Sequence, residues 1–326
     1  MIRPSAPGSG TADRPPGLID TLQAGFNTLN RSIWLLAIPI AVDLMLWLGP
    51  RLSIAMLAEQ WLVTAAAPPG IDDGLARSFE EQRRALLDLV RQSETLRSFN
   101  LISLVAMPVL GIPSFRGSAP GIGPAIGVAS IPTTLLAALA ILLLGLALSA
   151  LFYGLLGQAV REGRAHPVAY ARDFGRLYLW FLGLTALLIA VLLGIGVPLL
   201  GLLGTLRLGA PAFVAVLAPL LLGVALWILF YVFFTTDALF VARVPPGKAI
   251  QHSIAVVRYN FWSTLGFIAL IMVISAGFPL LWYEVDRGFG TPGVAIAVVG
   301  HIYISTGLAT ASMTYYKERF QRLRSS

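Results

Sequence analysis

Long apolar blocks alternate with short polar stretches along the chain, and each block runs for about twenty residues rather than recurring at amphipathic spacing. A helix of ~20 apolar residues is the length that crosses ~30 Å of hydrocarbon. Six such spans are predicted: Ile33–Gly49, Thr133–Val160, Tyr178–Gly204, Ala212–Thr236, Phe261–Trp282 and Gly293–Tyr315. Each ends in charge, Pro or Gly, so the pattern predicts an all-α, polytopic integral membrane protein.

Three spans open in the same way. "RSIW", "RLYLW" and "RYNFW" set Arg31 ahead of Trp34, Arg176 ahead of Trp180 and Arg258 ahead of Trp262. These pairs read as interface anchors, with the cation reaching toward headgroups and the indole resting where tails meet water. Each span then runs on to a proline, at Pro50, Pro198 and Pro279. In the intervening spans, "LFY" ending at Tyr153 precedes Pro167 by 14 residues, and "LFY" ending at Tyr231 precedes Pro245 by 14. A short Pro-led amphipathic segment comes before each arginine. The order of these landmarks predicts an internal repeat of three helical hairpins, each entered through an interfacial helix.

The domain plan follows. Residues 1–30 read as a flexible cytoplasmic tail with an interfacial helix, and 31–325 as one membrane domain that carries an extracytoplasmic helical insert at 51–132. In the insert, Leu75, Phe79, Leu86, Val90, Leu96 and Phe99 form one stripe, and Asp73–Arg77 and Glu80–Arg84 pair at i,i+4. This is the signature of a water-facing amphipathic helix. The flanking apolar pieces, 52–67 with Glu59 and 101–113 with Pro108, are too short or too polar for a span and read as interfacial or re-entrant. Were both to cross, there would be eight spans and the charged helix would be cytoplasmic.

Charge fixes the orientation. Arg3, Arg14, Arg31, Arg161, Arg164, Arg172, Arg176, Arg243, Lys248, Arg258, Lys317, Arg319, Arg322 and Arg324 fall on one side of the spans, and only Arg207 and Arg287 occupy the short connections on the other. Cytoplasmic loops retain Lys and Arg, which places both termini inside the cytoplasmic membrane of a prokaryote. The net charge of +7 is then a basic rim facing anionic lipid, with no nucleic-acid partner implied. Membrane lipid and other membrane proteins are the expected partners. Residues 1–30 are Pro-, Gly- and Ser-rich with no apolar core, so the first span is expected to direct insertion itself.

Composition narrows the chemistry. With 57% hydrophobic residues, 12% charged and no cysteine, the sequence offers no disulfide, thiolate site or redox pair. His166, His252 and His301 are scattered without zinc-binding spacing, and no serine lies in a nucleophile elbow, so neither metal nor cofactor is expected and the chain reads as non-enzymatic. "GIGPAIG" at 121–127 would need a strand before it and a helix N-terminus after it to cradle a phosphate; predicted outside the cell, far from nucleotide, it reads as a flexible loop leading into the second span.

Two ionisable residues fall deep in predicted spans, where a charge costs ~2.5–3.5 kcal/mol on insertion scales and is seldom kept idly. They are Asp43 and His301, the latter two residues before Tyr303. Both interrupt the apolar pattern of the repeat. At 1.5 Å per residue they sit at ~9 and ~12 Å from the outer ends of their helices, so they are expected to approach one another. The pair, with Tyr303, is the candidate intramembrane polar site, suited to proton movement or substrate binding, or else to a hydrogen-bonded helix contact. Thr235, Thr236 and Asp237, with Gln158 opposite in the repeat, read as boundary polarity.

Six spans in paired hairpins, the Pro-led interfacial segments and a C-terminal "MTYYKERFQR" resemble the membrane domain associated with bacterial glycerophosphodiester phosphodiesterases and with related free-standing membrane proteins. The resemblance covers the spans but not the insert. It implies a membrane fold and carries over no activity, because the chain has no phosphodiesterase domain. The expected role is a non-catalytic accessory or scaffold component of the membrane; the alternative is a small-molecule or proton-coupled transporter using Asp43 and His301.

Overall fold

A computed structural model describes residues 16–53, 55–65, 72–92, 100–106, 111–115, 122–127 and 130–325. The chain runs through α1 (Leu18–Asn30), a 3₁₀ turn (Ile33–Leu36), α2 (Ala37–Leu48), β1 (Arg51–Ser53), α3 (Ala55–Thr64), α4 (Asp73–Gln92), a second 3₁₀ segment (Leu101–Ala106) and β2 (Ala125–Gly127). It continues with α5 (Ile131–Glu162), α6 (Pro167–Val191), α7 (Val197–Gly209), α8 (Pro211–Val232), α9 (Thr235–Val241), α10 (Pro246–Tyr259) and α11 (Phe261–Ser325). A π-helical turn at Leu192–Gly196 joins α6 to α7.

Local chemistry sets these limits. Ser130 caps α5 by accepting the Thr133 amide, and Gly163, at φ 81°, ends that helix in the left-handed conformation that glycine adopts without strain. Pro167, Pro211 and Pro246 occupy first-turn positions, where the missing N–H costs nothing.

Among the described residues, four helical stretches are long and apolar enough to cross a membrane: Ile131–Glu162, Pro167–Arg207, Pro211–Val241 and Phe261–Arg324. The pair Leu18–Asn30 and Ile33–Leu48, bent by 84°, makes a fifth if counted as one span. None of the residues in the most apolar windows of Pro167–Arg207 and Pro211–Val241 is buried by the rest of the chain. Leu193, Leu200, Val216 and Leu220 each stand more than half exposed, which is the surface a helix presents to lipid tails.

The last stretch joins the fifth and sixth predicted spans. The expected outer loop stays helical to Phe289, and the reversal falls at Gly290, whose φ of 58° and ψ of −139° suit glycine alone. Its two limbs, 261–289 and 291–325, pack antiparallel: Phe267 stacks on Tyr315 at 4.3 Å, and Gly300 leaves room for the Trp282 ring.

The three joints of the predicted repeat differ. At Arg31–Ser32 the chain bends sharply; at Asn260 the backbone leaves the helix for φ −125° and ψ 35°. Through Arg176 it is continuous, so the expected interfacial helix at 167–176 is the start of the span helix itself. Asp173 bonds Arg176 at 2.9 Å, a helical i,i+3 contact, and nothing in that stretch breaks the ladder.

The core gathers Phe152, Leu155 and Leu156 of α5, Tyr170 and Phe181 of α6, Phe240 of α9, Val256 of α10 and Tyr315 of α11, all essentially inaccessible. α1 lies antiparallel along the end of α11, with Gly25 against Ala311 and Gly307 against the Phe26 ring.

The insert is clasped at its ends. β1 and β2 pair in parallel with Arg51 opposite Ala125, Leu52 opposite Ile126 and Ser53 opposite Gly127. Arg51 Nε also donates to Gly123 O at 3.0 Å, and Leu52 N donates to Asn100 Oδ1 at 3.0 Å. These two short strands are the exception to the all-α expectation. α3 packs on α4, where Glu80 takes Arg84 at 3.0 Å as expected and Arg83 at 2.6 Å, and Arg83 Nη1 donates to the Leu62 carbonyl at 2.9 Å. The two arginines, Arg83 foremost, hold the Glu80 carboxyl down to about 2. Leu75, Leu86 and Leu89 remain exposed while Val90 is buried; Leu96, Phe99 and the Asp73 side chain lie outside the described residues.

The apolar flanks of the insert are short. α3 has 10 residues and the 3₁₀ segment 6, against the ~20 that a crossing helix needs. Val105 packs with its backbone on Gly145, midway along α5, where an added Cβ would lie 2.7 Å from the Val105 Cα. Val105 thus seats the described residues 100–106 against α5; Pro108 lies outside the described residues.

Candidate functional site

Asp43 sits on α2 with no exposed surface. The Ser114 hydroxyl donates to its Oδ1, and the Phe115 amide donates to its Oδ2 at 2.8 Å. The Phe115 ring then lies 5.6 Å from the His301 imidazole and 5.2 Å from Tyr283. Asp43 and His301 do come to one neighbourhood, and Phe115 touches both. His301 Nε2 has Ser305 Oγ at 3.4 Å, one turn along its own helix. Tyr303 turns elsewhere: its hydroxyl donates to Asn30 Oδ1 at 3.1 Å and its ring meets Phe26 at 5.6 Å. The expected site of three is thus a pair across Phe115 and a separate tie to α1.

Ser114 and Phe115 gave no signal in the sequence, because a serine before an aromatic residue in a loop is ordinary. Their role comes from where 111–115 is carried. Gly111 O, at the other end of that segment, accepts the Tyr153 hydroxyl at 2.9 Å. Asp43 of α2 and Tyr153 of α5 thus satisfy the Phe115 amide and the Gly111 carbonyl at the two ends of this irregular segment.

The second polar group lies at the start of α9. Asp237 is buried and accepts the Ser312 hydroxyl of α11 at 2.5 Å. Gln158 faces its own helix end instead, donating to Glu162 at 2.9 Å and accepting the His166 amide at 3.0 Å. Thr235 is buried, with no hydrogen-bond partner for its hydroxyl among the described residues. Asp237 therefore ties α9 to α11, a contact that the boundary reading did not contain.

His252 of α10 bonds Tyr316 Oη through Nδ1 at 3.1 Å, and its ring lies tilted against Phe320 at 4.2 Å. Burial, then Arg324, then Lys248, lower its pKa below the ordinary 6.5. The folded state thus binds fewer protons there than the unfolded chain. Its stability contribution is present above 6.5 and declines as pH falls through that value. The thermal midpoint of the purified protein is expected to drop across this window, and to drop less in His252→Gln, as followed by tryptophan fluorescence on heating. An identical slope in the variant would remove His252 from the account.

Of the expected anchors, Arg176 lies with its guanidinium 5.2 Å over the Trp180 ring, a cation–π pair one turn apart. Trp262 is 80% exposed and Trp34 43%, and Arg31 and Arg258 are exposed beside them. Among the described residues, no three His, Asp or Glu side chains gather as a metal would require. No family model matches the chain, no curated protein matches it, and no solved structure matches it.

Proposed function

We propose that the chain is a non-catalytic accessory or scaffold component of the cytoplasmic membrane, crossing six times as three hairpins with both termini inside. The observation that carries this reading is the use made of Asp43. The deepest acid of the predicted spans receives one hydroxyl and one amide from 111–115 and so fastens a re-entrant segment to the bundle. Tyr303 likewise reaches across to Asn30 of α1, while His301 meets Ser305 one turn along its own helix. Polar groups that close such internal ties stabilise packing between helices. The reversal at Gly290 supports counting two crossings in the last stretch, and the resemblance to phosphodiesterase-associated membrane domains agrees with a fold that brings no activity of its own.

A specific observation favours a second reading as a proton-coupled transporter. Irregular backbone at 111–115 bridges Tyr153 and Asp43, and broken segments of that kind line substrate paths in transporters. Two measurements decide between them. The chain has no cysteine, so single cysteines at Ala171 and Asp88 can be probed with an impermeant maleimide in intact cells; Asp88 is expected to label and Ala171 to be protected. In proteoliposomes with an internal pH dye, wild type, Asp43→Asn and His301→Leu are expected to leak protons alike. A wild-type flux that Asp43→Asn abolishes would replace the scaffold by the transporter.

A further inference from the structure

Three arginines toward the cytoplasmic end, Arg161, Arg243 and Arg319, carry a buried N–H with no hydrogen-bond acceptor among the described residues, and the first two lie together. Arg161, at the end of α5, donates through Nη1 to Phe240 O at 2.6 Å and Val241 O at 3.4 Å. Its Nη2 is buried without a hydrogen bond, and Glu162 Oε1 lies 3.6 Å away, at ion-pair distance only. Arg243 lies two residues beyond Val241. Its Nη1 donates to Asp173 Oδ2 at 2.5 Å, and its Nε is buried without a partner. Asp173 also takes Arg176 at 2.9 Å, so one carboxylate serves two guanidinium groups.

Three features distinguish this place from a general basic surface. Its side chains are largely covered, at 20% exposure for Arg161 and 29% for Arg243, and buried cationic N–H groups are costly when unpaired. Arg243 is the one non-glycine residue at positive φ among the described residues, 53°, a conformation that a chain keeps only when its surroundings impose it. Finally, Arg176 carries the site to the Trp180 anchor through its cation–π contact, which puts it at the level expected for lipid headgroups. The local sum favours an anion: Arg161, Arg176 and Arg243 face Asp173 and Glu162, and Lys317 is directed to Val160 O at 2.8 Å close by.

We propose that Arg161 and Arg243 hold a phosphate oxygen, from the phosphodiester headgroup of an anionic phospholipid or from a soluble phosphate, at the cytoplasmic boundary. Guanidinium is suited to this, since its N–H groups fork toward two oxygens of one phosphate and its charge persists at every physiological pH. The site goes beyond the scaffold reading and is independent of it, because a transporter would hold boundary lipid in the same way.

The test uses the full-length protein in detergent, titrated with mixed micelles of phosphatidylglycerol or phosphatidylcholine, or with inorganic phosphate, and followed by thermal unfolding. Phosphatidylglycerol is expected to raise the midpoint and phosphatidylcholine not to. Arg243→Gly removes the guanidinium while fitting the positive φ better than arginine does, so this variant is expected to fold, with Asp173 still paired to Arg176, and to bind phosphatidylglycerol about tenfold more weakly or worse. Arg172→Gln, which removes an exposed cation from the neighbouring connection, is expected to leave the response unchanged. A midpoint rise with inorganic phosphate as large as with the lipid, also lost in Arg243→Gly, would assign the same site to a soluble phosphate. Equal response to both lipids with none to phosphate, or an Arg243→Gly variant that responds like wild type or like Arg172→Gln, would overturn the proposal.

Discussion

Tyr315→Ala is expected to lose about 3–5 kcal/mol of stability, the range for truncating a large buried aromatic side chain. Tyr315 has no exposed surface. Its ring stacks on Phe267 at 4.3 Å and Phe234 at 5.4 Å, and the Arg319 guanidinium lies 5.0 Å over it. Its hydroxyl donates to Ser263 Oγ at 3.0 Å and lies 3.1 Å from Thr264 Oγ1. This one residue therefore locks the two limbs of α11 against each other and both against Phe234, at the joint between α8 and α9. Tyr315→Phe keeps the stack and loses only the hydroxyl contacts, so it is expected to cost about 1 kcal/mol. Heating both variants in detergent and comparing midpoints gives the check. If alanine proves no worse than phenylalanine, the stack does not hold the limbs together.

Gly25→Leu is expected to pry α1 from α11 at a cost of about 1–3 kcal/mol or more. The first added carbon would lie 2.4 Å from the Ala311 Cα and 2.6 Å from its Cβ and N, and a helix backbone cannot retreat as a flexible side chain can. With α1 go the Thr21–Glu318 bond at 3.1 Å, the Tyr303–Asn30 bond at 3.1 Å and the Arg319–Pro16 bond at 3.2 Å. Limited proteolysis reads this directly, through faster cleavage within 18–30. Ala311→Gly should rescue Gly25→Leu only in part, since it removes one clashing atom of three. Unchanged cleavage in the variant would mean that α1 tolerates a looser seat than its glycines imply.

Much of the fold was legible because long apolar blocks, prolines at helix starts and Arg–Trp pairs act locally. Pro167 and Pro246 open helices, Gly163 closes one, and Arg176 does lie over Trp180. What escaped the sequence depends on contacts distant in the chain. The bend at Arg31–Ser32 has no Gly or Pro to announce it and is set by α1 docking on α11. Gly290 is one of 32 glycines, and only its position between two limbs that must meet makes it the turn. Counting residues along helices gave the depths of Asp43 and His301 and so brought them near one another. Depth says nothing about rotation around the helix axis, so Phe115 between them and the departure of Tyr303 toward Asn30 were not foreseeable. The Arg161 and Arg243 site was hidden for a similar reason: both arginines counted toward the cytoplasmic rim, and burial alone separates them from it.

The clasp of β1 and β2 has a consequence for how this chain can vary. Ser53 and Asn100 stand at the two mouths of the excursion that holds α3 and α4, and the Leu52 amide reaches the Asn100 side chain at 3.0 Å. Strand ends already brought together bear the entropy of loop closure themselves, and that entropy grows only slowly with loop length. The helices between them are thus free to lengthen, shrink or be exchanged while the long apolar helices keep their register, which makes this appendage the natural place for lineages to diverge.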